Sequence, residues 1–346
     1  MGGAEVLRVA VFGASGYTGG ELLRILISHP AFTVTVITSR EYAGKPVYIA
    51  HPHLKGLLSL KFAKLEEALN KEFDYALLAL PHGISKEVVP FLLEIGVGVV
   101  DLGADFRLKD PSLYETWYGW KHPNPELLEE AVYGLPELHR DEIRNARLVA
   151  SPGCNATATI LASAPLVKLG ARRVLADVKV GSSEAGSKPS RGTHHPERSG
   201  VIRPYSPSGH RHQVEASQEL SLLAGEEVRV SMVPHSVGSV RGAFASAHAE
   251  LEVEEGELWR AFARFYSKEP FVRVMQRGSY PNVKNVLGSN FADVGFASDP
   301  SLPRVSGFAA IDNLMKGAAG QAIQSLNLMA GLEETTGLMH PPLSPA

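Results

Sequence analysis

Apolar and polar positions fall into short, regular blocks along the first half of the chain. Residues 7–12 (LRVAVF) form a β-branched apolar run, the pattern of a buried parallel strand. A glycine-rich turn follows. Residues 21–28 then show helical spacing, with Leu22, Leu23, Ile25, Leu26 and Ile27 on a broad apolar face and Pro30 just past the stop. Residues 33–37 are a second β-rich run, completing a strand–turn–helix–strand unit. Residues 73–80 read as another buried strand, 85–94 as a helix, and 97–102 and 147–151 as two further strands. This alternation predicts an α/β fold with a parallel, doubly wound sheet. Ligands of such sheets sit at the carboxyl ends of the strands.

From Cys154 the texture changes. Residues 157–169 read as a helix, and 174–180, 227–233 and 242–253 as longer β-type runs, the last with near-alternating polarity. That resembles an antiparallel sheet in an α+β domain. Residues 181–212 are rich in Ser, Gly, Pro and His and lack periodicity; a loop this long inside a compact domain is usually functional or disordered. Residues 317–328 predict a final helix before a Pro-rich tail.

Composition narrows the function. At roughly 100–200 residues per domain, 346 residues predict two domains. Lys plus Arg is 34 against 37 Asp plus Glu, so a basic nucleic-acid wrapper is not indicated. No apolar run reaches the ~18 residues a membrane helix needs, and Met1 to Glu5 resembles neither a signal peptide nor a convincing acylation start. The expected compartment is the cytoplasm, with neither membrane nor nucleic acid as partner. Cys154 is the single cysteine, which excludes internal disulfides and cysteine-rich metal sites.

The first loop carries Gly13, Gly16 and Gly19 as G-x-x-G-x-x-G. Gly13 permits a tight turn, Gly16 lets backbone N–H groups approach a pyrophosphate, and Gly19 allows close helix–strand packing. An NAD-binding unit would carry Asp or Glu at the end of the second strand; this chain has Thr38-Ser39-Arg40. Two hydroxyls and a guanidinium suit a 2′-phosphate, so the expected cofactor is NADP(H).

Ser151-Pro152-Gly153-Cys154-Asn155 follows a strand and opens a helix. A thiol there feels the positive end of the helix dipole, which favours the thiolate. A thiolate beside a nicotinamide suggests attack on an activated acyl group and reduction of the resulting thioester to an aldehyde. The general acid/base is sought among His210, His212 and Glu215, with His212 and Glu215 spaced to share a helical face. His194, His195, His210, His212 and Glu215 could instead ligate zinc, but their spacing matches no common zinc signature, so no metal is expected.

At this point the residues resemble a family, the N-acetyl-γ-glutamyl-phosphate reductases. The likeness is carried by Gly13-Ala14-Ser15-Gly16-Tyr17-Thr18-Gly19-Gly20, Asp101-Leu102-Gly103-Ala104-Asp105-Phe106-Arg107, Tyr133-Gly134-Leu135-Pro136-Glu137, Pro152-Gly153-Cys154-Asn155-Ala156-Thr157 and His210-Arg211-His212. It implies a Rossmann-type NADP-binding domain at 1–153, rejoined by a C-terminal helix near 314–335. It also implies an α+β catalytic and oligomerisation domain of the semialdehyde-dehydrogenase type at 154–313. Cys154 would be the nucleophile and His210 the favoured acid/base, supported by His212 and Glu215. Cofactor contacts would fall on Gly13, Ser15, Gly16, Tyr17, Thr18, Ser39, Arg40, Leu80, Pro81, Ser183 and Asn313. Substrate or carrier contacts would fall on Arg107, Asn155, His194, Arg198, Arg203 and Arg211.

The segment after the cysteine, the loop 194–205, Thr38-Ser39-Arg40 and residues 51–56 look like one branch of that family. That branch reduces an aminoadipate δ-phosphate, and in some members a glutamate γ-phosphate, in lysine or arginine biosynthesis. The substrate's amino group is attached to a small acidic carrier protein. Between Ser182 and Val214, Lys188, Arg191, Arg198, Arg203 and Arg211 face only Glu184 and Glu197, a net +3 before histidine. A basic rim on an acidic protein can steer an acidic partner. Three rivals stand beside this reading. One is the same chemistry on free N-acetylglutamyl phosphate. The second is aspartate-semialdehyde dehydrogenase, which the His-Arg-His cluster disfavours. The third is a non-catalytic NADP sensor, which the intact Cys and His-x-His disfavour. A homo-oligomer, dimer or tetramer, is expected.

Overall fold

The computed structural model describes residues 6–345, so the N-terminal stretch weighed above lies outside the described residues. By its contacts the chain divides into two compact units. One runs to Pro152 and includes Ala318–Met339; the other comprises Gly153–Gly317 and His340–Ala346.

In the first unit, strands β1 (Leu7–Phe12), β2 (Phe32–Ile37), β3 (Tyr75–Leu78), β4 (Gly98–Asp101), β5 (Val132–Tyr133) and β6 (Leu148–Ala150) form one six-stranded sheet. Its order is β2-β1-β3-β4-β6-β5 and every pairing is parallel. Val9 to Phe12, Ala76 to Leu78, and Leu148 to Ala150 are wholly buried, which is why these strands read as unbroken apolar runs. The first helix, Tyr17–Leu26, begins a turn earlier than its apolar spacing suggests, inside the glycine motif. The last helix, Gly320–Met329, belongs to this unit. Tyr75 donates its hydroxyl to the Met329 carbonyl, and Arg140 and Gln324 both reach Glu334 at 2.8 Å.

In the second unit, β7 (Arg173–Val180), β8 (Ile202–Pro204), β9 (Arg229–Val237), β10 (Ala243–Glu250), β11 (Val272–Val274), β12 (Ala292–Ser298) and β13 (Arg304–Ile311) form a seven-stranded sheet. Its order is β11-β12-β13-β10-β7-β9-β8. The sheet is mixed, not antiparallel throughout: β7–β9 and β11–β12 pair in parallel. The 181–212 stretch is likewise ordered, carrying two 3₁₀ turns, one turn of helix at His195–Arg198 and the edge strand β8. The helix Cys154–Lys168 buries every residue from Asn155 to Val167. Its alanines let it lie directly on the sheet, where Gly307 of β13 leaves space for the Ala162 carbonyl. No helix among the described residues is long and apolar enough to cross a membrane.

Candidate functional site

The glycine loop of the first unit is built by close backbone approach. Gly13 has φ +73°, and a side chain there would strike the Ala79 carbonyl and the Leu80 side chain. A Cβ on Gly19 would lie 2.6 Å from Ala14, so this glycine brings the helix onto the strand end. Gly16, by contrast, would bring a side chain no closer than 4.0 Å to the Gly13 carbonyl, and the helix it starts has no side-chain cap. Uncapped N–H groups at an uncovered helix start suit a pyrophosphate. Thr38 Oγ1 accepts from Gly13 N at 3.0 Å, and Ser15 and Ser39 join hydroxyls at 2.8 Å. Arg40 is exposed beside them and has no ion pair among the described residues. These features fit a dinucleotide carrying a 2′-phosphate. Tyr17 and Pro81 are also exposed, and Thr18 is half-buried.

Sequence reasoning missed the supports of this loop. His51 is buried, pairs its Nε2 with the Ala14 carbonyl at 2.7 Å, and packs where a Gly20 side chain would stand. Asp105 accepts from Gly83 N at 2.7 Å and Lys86 N at 3.0 Å, fixing the turn after β3. Arg107, expected as a substrate or carrier contact, is buried and donates Nε to the Ser151 carbonyl and Nη2 to that of Leu102, tying together the ends of β4 and β6.

The second unit gathers the thiol and its neighbours. Gly153 caps the helix that Cys154 opens, and the buried Glu215 carboxylate accepts from Gly153 N at 3.0 Å. A helix does start at Arg211 and runs to Ala224, so His212 and Glu215 share a face, with Nε2 and Oε1 3.9 Å apart. A side chain on Gly153 would overlap the His212 imidazole, so glycine here lets that ring lie against the backbone next to Cys154. Gly317 gives similar room, since its Cβ would stand 2.7 Å from that of Cys154.

His210 does different work. Its Nδ1 accepts from His212 N at 3.2 Å, which makes it the N-cap of the helix. Burial, and then the adjacent Arg211, pull its pKa down to about 4. The two rings meet edge to face at 4.5 Å.

Asn155, 1% exposed, accepts from Cys154 Sγ at 3.6 Å and donates to the Tyr205 hydroxyl at 3.0 Å. Burial raises Glu184 above the usual carboxylate range, against the pull of Arg198 and Arg211. Arg198 is buried too; Nη2 donates to the Val180 carbonyl at 3.2 Å and Nε has no hydrogen-bond partner. Arg203 is exposed on β8, and His194 is exposed just before the turn of helix at His195–Arg198. Ser183 and Asn313 are joined at 2.9 Å, and Asn313 also accepts from Gly242 N. No group of three or more His, Cys, Asp or Glu among the described residues is placed to hold a metal ion.

Comparison with known proteins places this geometry. The model described as "Semialdehyde dehydrogenase, NAD binding domain" matches residues 8–146, and "Semialdehyde dehydrogenase, dimerisation domain" matches 154–313. A LysW-L-2-aminoadipate/LysW-L-glutamate phosphate reductase of Sulfurisphaera tokodaii is 56% identical, covering 99% of this chain and 100% of that protein. Its namesake from Saccharolobus solfataricus is 57% identical, covering 99% of both. Among solved structures, aspartate semialdehyde dehydrogenase II of Vibrio cholerae superposes with a TM-score of 0.73. The identity is 17%, over 94% of this chain and 99% of that one, and the likeness is one of fold. The first unit is therefore a nicotinamide-dinucleotide-binding domain. The chain belongs to the semialdehyde dehydrogenase family.

Proposed function

We propose that this protein is an NADPH-dependent acyl-phosphate reductase. Its substrate would be aminoadipate 6-phosphate, and also glutamyl 5-phosphate, held through the amino group on a small acidic carrier protein. The names of its relatives, with identities above one half over full length, support the substrate class. The observation that carries the chemistry is Cys154 at a helix start, with Glu215 on the preceding N–H and the His212 ring against Gly153.

Cys154 attacks the acyl carbon, the acyl–oxygen bond breaks, and inorganic phosphate leaves a thioester on the sulfur. When bound, the dinucleotide supplies the hydride that reduces this thioester to the aldehyde. The geometry supports His212 over His210 as acid/base, because His210 is committed to capping and is held neutral at pH 7. His212 takes the thiol proton, and Glu215 orients the imidazole and stabilises its charged form. Arg198 and Arg211 hold the anionic groups of the substrate. Ser39 and Arg40 hold the 2′-phosphate that distinguishes NADPH, and the "dimerisation" unit supports a homo-oligomer.

The test is NADP⁺ reduction in the presence of inorganic phosphate, which accepts the acyl group from the thioester, with aminoadipate and glutamate semialdehydes, each free, acetylated and carrier-linked. Cys154→Ser should abolish turnover and leave NADPH binding intact. Retained turnover overturns the thioester route, and equal rates on free and carrier-linked substrates overturn the carrier.

A further inference from the structure

We propose that the Asn155 carboxamide, held at its far end by the Tyr205 hydroxyl, positions the Cys154 sulfur in both of its protonation states. The inference rests on Cys154 being the nucleophile proposed above. Asn155 follows the thiol directly in sequence and is 1% exposed, so its side chain has no water to turn to. It has two polar ends, and both are used. Oδ1 faces Sγ at 3.6 Å and Nδ2 donates to Tyr205 Oη at 3.0 Å.

This arrangement suits a thiol, because the carboxamide oxygen accepts from S–H. It does not suit a thiolate, which would face that same oxygen. A half-turn of the carboxamide resolves the conflict: Nδ2 then donates to S⁻, and Oδ1 turns to Tyr205. The turn is possible only if the far partner can both donate and accept. A phenol hydroxyl does both. A backbone carbonyl, a lysine or an ionised carboxylate would lock the amide in one orientation. The same burial that encloses the hydroxyl, with Glu184 and Cys154 near it, raises the Tyr205 pKa, so the phenol keeps the proton it must donate.

Tyr205 is firmly mounted. It follows the edge strand β8, where Arg203 and Pro204 pair with Ser236 and His235 of β9, and its own N–H donates to the Pro234 carbonyl at 3.1 Å. The residue as a whole is 37% exposed, while its hydroxyl reaches the buried Asn155. The two orientations differ in worth. The thiol contact is a weak S–H···O bond, whereas N–H···S⁻ is charge-assisted and gains more from an amide held in place. Losing either partner therefore costs the thiolate more than the thiol.

The test is the pH dependence of Cys154 alkylation by iodoacetamide in the full chain without substrate. Asn155→Ala should raise the midpoint by about one unit, the scale of one hydrogen bond to an ion. Tyr205→Phe keeps the ring, alters only a partly exposed position, and should move the midpoint the same way by less. It carries the test alone if Asn155→Ala does not fold. Parent-like midpoints in the folded variants overturn the proposal. Cys154→Ser, assayed in parallel, separates the two readings: retained turnover sinks the nucleophile, whereas unmoved midpoints sink only the carboxamide relay.

Discussion

At the residue scale, His210 and His212 are two positions apart at one helix start and equally buried, but His210 caps the helix whereas His212 faces Glu215. His210 accepts from the backbone through Nδ1 and protonates only near pH 4, against an ordinary 6.5. An unfolded chain takes up that proton near 6.5. Between these values the unfolded state binds more protons, so this contribution to stability is complete above 6.5 and is lost as pH falls towards 4. The window bounds the loss at about 3 kcal/mol. His210→Asn keeps a capping side chain and removes the titration. Its denaturation midpoint should therefore fall less steeply than the parent's between pH 6.5 and 4, and most turnover should survive. Matching slopes would remove the titration argument, and a rate loss of order 10²-fold or more would return the acid/base role to His210. Cys154 and its two histidines were legible in the sequence, because Pro-Gly before a helix and a His-x-His cluster are local patterns. Tyr205 beside Asn155 was not, since the pair is fifty positions apart and no local pattern carries that distance.

At the element scale, two helix starts meet through a glycine. Gly153 has φ −72° and ψ 145°, which alanine adopts without strain, so Gly153→Ala acts only through the His212 ring it would displace. Turnover should fall on the order of 10²-fold with the circular dichroism spectrum unchanged. The double variant Gly153→Ala/His212→Ala should be no slower than His212→Ala, because both changes remove one interaction. Full activity in Gly153→Ala would mean the ring has other work. The parallel strands were readable in sequence because both faces are buried, leaving continuous apolar runs. Strands β12 and β13 escaped, since Gly295 and Gly307 interrupt them where Pro281 and the Ala162 carbonyl come close. The helix Glu255–Tyr266 was legible but unread: Leu258, Phe262 and Tyr266 recur every four residues and are the ones buried.

At the scale of the whole molecule, a net charge of −3 conceals a basic segment whose five cations do not all face outward. Arg198 is buried and Arg211 half-buried beside Glu184, so Lys188, Arg191 and Arg203 form the outward rim, opposed by Glu197. On the proposed mechanism the inward arginines serve any substrate that reaches the thiol. Outward ones matter only to something large enough to span the rim, and they act through a field screened over roughly 8 Å at physiological salt. This separation makes the carrier testable. Arg191→Glu together with Arg203→Glu should raise KM for a carrier-linked substrate at least about tenfold at low salt, by weakening electrostatic steering. The KM for the acetylated small substrate should move less than about twofold, because Arg198 and Arg211 are untouched. Added salt should narrow the gap by weakening the parent more than the variant. Arg203 also donates to the Gly192 carbonyl at 3.3 Å, so its loss can loosen the loop. Loosening would weaken both substrates alike and persist in salt. Equal losses at every ionic strength would leave the rim without a protein partner and make the free acyl phosphate the substrate.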